Sequence, residues 1–144
     1  MVNALSKLYS QLVGQQINPN REVLVTVGAY EALFCAFMGI INPGDEVIVI
    51  EPFFDCYAPM IELAGGVPVY VPLRPPANSN ASSISSGDWK LDMQELASSF
   101  SNKTKAIIIN TPHNPLGKVR DAGLLVLYMR SELCNPFLIG FHSR

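Results

Sequence analysis

Ile107-Ile108-Ile109-Asn110-Thr111-Pro112-His113-Asn114-Pro115-Leu116-Gly117-Lys118 combines a β-branched apolar run with a loop rich in turn-forming residues. The run from Ala106 to Asn110 predicts a strand, and the two carboxamides, two prolines and glycine predict a polar loop at its carboxyl end. In a parallel sheet, that is where a strand delivers side chains into a ligand crevice. Upstream, the same alternation recurs. Strands are predicted at Val23 to Val27, Glu46 to Ile50 and Val67 to Leu73, each separated from the next by a helical pattern. Alternating strands and helices predict an α/β layer with a parallel sheet and right-handed crossovers.

The intervening segments carry their own signals. Leu5, Leu8, Tyr9, Leu12 and Val13 share one helical stripe, with Asn3 placed to cap it, and Gly14 ends it. A second helix is predicted from Gly28 to about Ile41, apolar all round and therefore expected to be buried on most faces. Asn42-Pro43-Gly44-Asp45 is turn chemistry, a helix is predicted from Asp55 to Ala64, and Gly65-Gly66 stops it. Pro75 to Ser83 reads as a polar loop. Asp92 and Glu95 form a capping-box pattern with Leu91 and Leu96 in the staple positions.

The chain has 144 residues, is 49% hydrophobic and carries a formal charge of −2, which suits a globular domain with a core. Its lysines and arginines are scattered, so neither nucleic acid nor a membrane surface is expected as partner. Leu124 to Met129, the longest apolar run, is too short to cross a bilayer. Cys35, Cys56 and Cys134 are odd in number and lack metal or redox spacing, so they read as reduced thiols of an intracellular protein, cytoplasmic or mitochondrial, and no metal site is expected. No serine or cysteine nucleophile is placed to work with His113, which leaves a hydrolytic triad without support.

Three motifs carry a resemblance. Asn-Thr-Pro-His-Asn-Pro-Leu-Gly at 110–117, Val27-Gly28-Ala29-Tyr30-Glu31-Ala32-Leu33, and Glu51-Pro52-Phe53-Phe54-Asp55-Cys56-Tyr57 together resemble the class I aminotransferases that use pyridoxal phosphate. The kynurenine aminotransferases, which are also cysteine-conjugate β-lyases, are the most similar group. The resemblance implies an incomplete large domain of the fold type I three-layer α/β/α sandwich at residues 1–119, followed by a divergent tail at 120–144. It implies that the turn at Gly28, Ala29 and Tyr30 holds the cofactor phosphate and that Phe54 stacks on the pyridine ring. It further implies that Asn114 meets the phenolic oxygen of the cofactor and the substrate carboxylate, and that Asn110 lines the same site. A lone glycine or an Asn-Pro turn would by itself be a weak signal. His113 is expected to be exposed.

What the resemblance does not find matters equally. The family's aspartate for the pyridine nitrogen, its cofactor-holding lysine in a Ser-x-x-Lys setting and its carboxylate-binding arginine have no counterpart here. The lysines are Lys7, Lys90, Lys103, Lys105 and Lys118, and the last matches a loop position. No catalytic residue is therefore assigned. The expectation is a truncated kynurenine aminotransferase, inactive alone, with amino acids and 2-oxo acids as the family's substrates and a homodimer or a heterodimer with full-length subunits as its assembly. A small nucleotide-binding domain is disfavoured because no Gly-x-Gly-x-x-Gly or P-loop motif follows the first strand. The resemblance also implies that the first strand is left without a neighbour. The tail from Arg120 to Arg144, with apolar clusters at Leu124 to Met129 and Phe137 to Phe141, is expected not to rebuild the missing sheet and to leave the chain prone to association.

Overall fold

In β1 (Glu46–Glu51) four consecutive apolar residues, Val47 to Ile50, are all buried. An alternating strand buries one face, so a continuous buried run places β1 in the interior of a sheet covered on both sides. This computed structural model describes residues 1–76 and 84–119 and the backbone of 137–141. The chain divides into two compact units, Met1–Gly39 and Ile40 onward.

In the second unit β1 is followed by α3 (Tyr57–Leu63), β2 (Val67–Arg74), a 3-10 turn at Ser86–Asp88, β3 (Lys90–Leu91), α4 (Met93–Ser98), β4 (Thr104–Asn110) and β5 (Phe137–Phe141). The strand order is β3-β2-β1-β4-β5. β1 pairs in parallel with β2, Ile48 opposite Val69, and with β4, Ile48 opposite Ile107. The chain thus moves one way from β1 to β2 and returns past β1 to reach β4. Right-handed crossovers in opposite directions place α3 and α4 on opposite faces of the sheet. Leu96 of α4 accordingly joins Ile48, Val71, Ile107 and Ile109 in one cluster, while α3 buries Tyr57, Met60 and Ile61. Each such aliphatic side chain contributes about 1.5–3 kcal/mol by leaving water.

One strand departs from an all-parallel sheet, and the tail extends the sheet at its other edge. β3 is antiparallel to β2, with Leu73 opposite Leu91. β5 pairs in parallel with β4 from Ala106 opposite Phe137 to Asn110 opposite Phe141. The expectation that the tail does not rebuild the missing sheet is corrected at this edge: β4 carries unmet N–H and C=O groups there, and residues 137–141 supply a parallel ladder for them. The apolar run at 124–129, Cys134 and most of the 75–83 loop lie outside the described residues.

The first unit holds α1 (Val2–Val13) and most of α2 (Gly28–Ile40). Asn3 falls inside α1, whose N-cap is Met1, so the expected cap does not form. Gly14 closes the helix with φ +71°, its N–H donating to the Ser10 carbonyl at 3.1 Å. Val23 to Val27 form no strand: Leu24 and Val27 are 80% and 89% exposed, as befits strand-forming residues that have no neighbour to pair with. α2 buries only Leu33 and Phe37, which corrects the expectation of burial on most faces.

Candidate active site

The strand order reverses between β1 and β4, and in open parallel sheets ligands bind beyond the carboxyl ends of strands at such a switch point. Because β1 and β4 run side by side, the loops after Glu51 and after Asn110 leave the sheet at the same edge. The first loop delivers an aromatic group. Phe53 stacks on Tyr70, with ring centroids 5.5 Å apart and planes at 5°, and lies 6.4 Å from Tyr57. Phe54 meets Tyr57 edge-on at 5.9 Å, a T-shaped contact that fixes one edge of its ring.

The second loop delivers polar groups. Asn110 closes β4 and is 8% exposed; its Nδ2 donates to the Tyr57 hydroxyl at 3.1 Å, while Oδ1 is buried with no hydrogen-bond donor among the described residues. Asn114 is exposed on the loop beyond. His113 is 5% exposed, contrary to the expected exposure, because its loop folds back on itself: the His113 N–H donates to the Lys118 carbonyl at 2.8 Å. Burial pushes the Tyr57 phenol up, and the neighbouring Cys56 adds to the shift, so the group that holds Asn110 stays a neutral hydroxyl. The Cys56 thiol is likewise pushed up by burial, with Asp55 beside it, and is a poor nucleophile.

Gly28, Ala29 and Tyr30 belong to the first unit, where they open α2. Gly28 has φ +84°, a conformation that glycine adopts without strain, and nothing lies within 4 Å of where a Cβ would stand. The backbone is therefore open to close approach. The first turn of a helix presents N–H groups that have no intrahelical acceptor, together with the positive end of the helix dipole. Glu31 already accepts from the Val27 N–H at 2.5 Å and Thr26 Oγ1 donates to the Gly28 carbonyl at 2.8 Å, so the turn is braced from both sides. All three residues are exposed.

Lys118 Nζ donates to the Gly87 carbonyl at 2.9 Å and to the Ser86 carbonyl at 3.5 Å, away from the role of a free amine. Among the described residues, no group of three His, Cys, Asp or Glu side chains could hold a metal, and no helix is long and apolar enough to cross a membrane.

The family model for aminotransferase class I and II matches residues 1–126. The chain belongs to that family. It is 62% identical over 120 residues to kynurenine–oxoglutarate transaminase 3 of Bos taurus, covering 83% of this chain and 26% of the relative. The human kynurenine–oxoglutarate transaminase 3 is 57% identical over 134 residues, covering 92% and 27%. In three dimensions the chain is similar to Bna3p of Saccharomyces cerevisiae, with a TM-score of 0.87 and 42% identity over 96% of this chain and 33% of that one. The chain thus spans about a quarter of the length of these curated relatives. The α/β architecture is that of part of the aminotransferase large domain, and pyridoxal phosphate is the cofactor of the family.

Within the second unit, the residues at the sheet edge fit that cofactor: the Phe54 ring suits its aromatic ring, and the buried Asn110 Oδ1 suits a polar substituent that brings a donor. Within the first unit, the α2 start is by itself suited to an anion. Sequence reasoning missed Tyr57, which stood inside a recognised motif without a role. Its partner is 53 residues away, and no local pattern marks the pair.

Proposed function

We propose that this chain is the cofactor-holding portion of an aminotransferase that moves an amino group from kynurenine, or a similar aromatic or sulfur amino acid, to a 2-oxo acid. The observation that carries this is the meeting of Phe54, Tyr57 and the acceptor Oδ1 of Asn110 at the sheet's switch point. Bound pyridoxal phosphate supplies an electron sink for the carbon that bears the amino group. The chain's own contribution is binding and orientation. At the turn of Gly28, Ala29 and Tyr30 the Gly28 N–H donates to the Thr26 carbonyl at 2.9 Å, so the phosphate would be taken on the N–H groups that follow, with Gly28 allowing the close approach; Phe54 would offer its ring face. Asn110 and Asn114 would fix the polar edge of the ring, Asn114 reaching the substrate carboxylate as well.

A lysine must also be aimed at the cofactor, and its pKa tuned, for turnover. Lys118 is committed to carbonyl oxygens, and no other lysine stands in the family's setting. The 144 residues alone are therefore inactive under this proposal and bind the cofactor weakly and reversibly. Borohydride reduction of the chain with pyridoxal phosphate, followed by peptide mapping, should leave no lysine stoichiometrically labelled. Incubation with cofactor, kynurenine and a 2-oxo acid should yield no product above the free-cofactor background. One fully labelled lysine, or turnover abolished by Asn114→Ala, would overturn the proposed inactivity.

A second role is favoured by the exposed Leu24 and Val27: a non-catalytic partner of full-length subunits, in the intracellular setting that reduced thiols suit. Co-purification of tagged chain with the complete enzyme, lost on Leu24→Asp, tests it.

A further inference from the structure

Tyr57 opens α3 and is 4% exposed. Its hydroxyl accepts from Asn110 Nδ2 at 3.1 Å, and its ring is held by Phe53 and by the edge-on Phe54. The Asn110 carboxamide is thereby fixed in one orientation. With Nδ2 committed to the hydroxyl, Oδ1 faces the other way, and there no described residue donates to it. Native folds rarely leave a buried carbonyl oxygen in that condition, because it has lost water without gaining a partner. A ligand that brings a donor removes the cost.

We propose that Tyr57 is a positioning residue that holds the Asn110 carboxamide so that Oδ1 is presented to an N–H or O–H donor of the ligand bound at this edge. The identity of that ligand rests on the cofactor reading above, whereas the Tyr57–Asn110 pair does not. The acceptor selects for a donor such as an amine and against a carboxylate, whose oxygens would face another oxygen. The neutral state of the phenol, maintained by burial, keeps the arrangement intact at physiological pH. The same ring also braces Phe54, so one side chain orients both the polar and the aromatic element of the site.

The test uses the full chain and needs Tyr57→Phe, Asn110→Ala and the double variant. Tyr57→Phe keeps the ring and its stacking and removes only the hydroxyl. Without ligand, hydrogen exchange of the Asn110 side-chain amide, followed by nitrogen NMR, should speed up at least about fivefold in Tyr57→Phe, the loss expected for one hydrogen bond. An unchanged rate overturns the proposal. With pyridoxamine 5'-phosphate as probe, titrated by fluorescence, Tyr57→Phe should weaken binding about fivefold and Asn110→Ala about tenfold. The double variant should bind no worse than Asn110→Ala, since Tyr57 acts through that residue. Additive losses would mean that Tyr57 touches the ligand itself and would overturn the positioning role. Faster exchange in Tyr57→Phe, with no binding of the probe by the unaltered chain, would sink the cofactor reading and leave the pair standing.

Discussion

Val47-Ile48-Val49-Ile50 and Val23-Leu24-Val25-Thr26-Val27 are almost the same chemistry, and the structure treats them oppositely. The first is a central strand with every one of its four side chains buried; the second pairs with no strand and leaves Leu24 and Val27 in water. β-Branched composition states only that a segment suits a pleated surface; neighbours decide whether it becomes one. β1 has β2 and β4 within the same unit, each ready to complete its ladder. Strand-forming sequence exposed in this way is what a chain shows when it carries apolar surface suited to further protein.

The comparison breaks most readily at Ile48. Ile48→Ala would open a cavity against Val71, Leu96 and Ile107 and should cost about 2–5 kcal/mol in urea unfolding. Leu24→Ala should change stability by no more than about 0.5 kcal/mol, since its side chain touches little. Equal effects at the two positions would mean that 23–27 is packed in solution.

The next largest effect is expected at β5. Removing residues 137–144 would strip β4 of a parallel ladder five residues long. At about 0.5–1.5 kcal/mol for each hydrogen bond, the loss should be roughly 2–4 kcal/mol, accompanied by association through the uncovered edge. Unchanged melting, or improved solubility, would show that the tail is dispensable.

These contrasts mark what could be read without coordinates. Local patterns were legible: β1, β2 and β4 fall where β-branched runs predict them, and Asp92 does cap α4, its Oδ1 accepting from Gln94 and Glu95. The other half of that capping box is absent, because Glu95 pairs instead with Arg74, 21 residues away. The burial of His113 depends on a loop that closes through Lys118, and the role of Tyr57 depends on Asn110. Gly28, Phe54 and Asn110 could be singled out from motifs. The hydroxyl that holds Asn110 could not, since nothing in Asp55-Cys56-Tyr57 states which strand end will lie beside it.

Two glycines sharpen the comparison at smaller scale. Gly66 enters β2 against the floor of the sheet, where an added Cβ would lie 2.8 Å from Ile41 Cγ2, 3.0 Å from Ile61 Cγ2 and 3.2 Å from the Asp45 carbonyl oxygen. Gly66→Ala should therefore cost about 1–3 kcal/mol by overpacking. At Gly14 nothing lies within 4 Å, and only the positive φ opposes a side chain. Gly14→Ala should cost about 1 kcal/mol, and Gly14→Asn less, because asparagine tolerates the left-handed region. Chemical denaturation of the three variants orders them.

The smallest effect is electrostatic and belongs to the rim of the folded sheet. Hydrogen bonding to Arg74 holds the Glu95 carboxyl below the usual glutamate value, and the Ser85 backbone N–H does the same for Asp88, with Ser85's side chain adding to it. A carboxylate whose pKa is lower folded than unfolded adds stability above its unfolded value, near pH 4, and that stability is lost as pH falls through the folded value. Stability should therefore be flat with respect to these groups from neutral pH down to about 5 and should decline below about 4. Asp88 is exposed and the Glu95 side chain is 35% exposed, so salt screens the contribution and the decline should be shallow. Glu95→Gln should flatten it further. A steeper acid transition that survives Glu95→Gln and Asp88→Asn together would place the responsible carboxylates elsewhere in the chain.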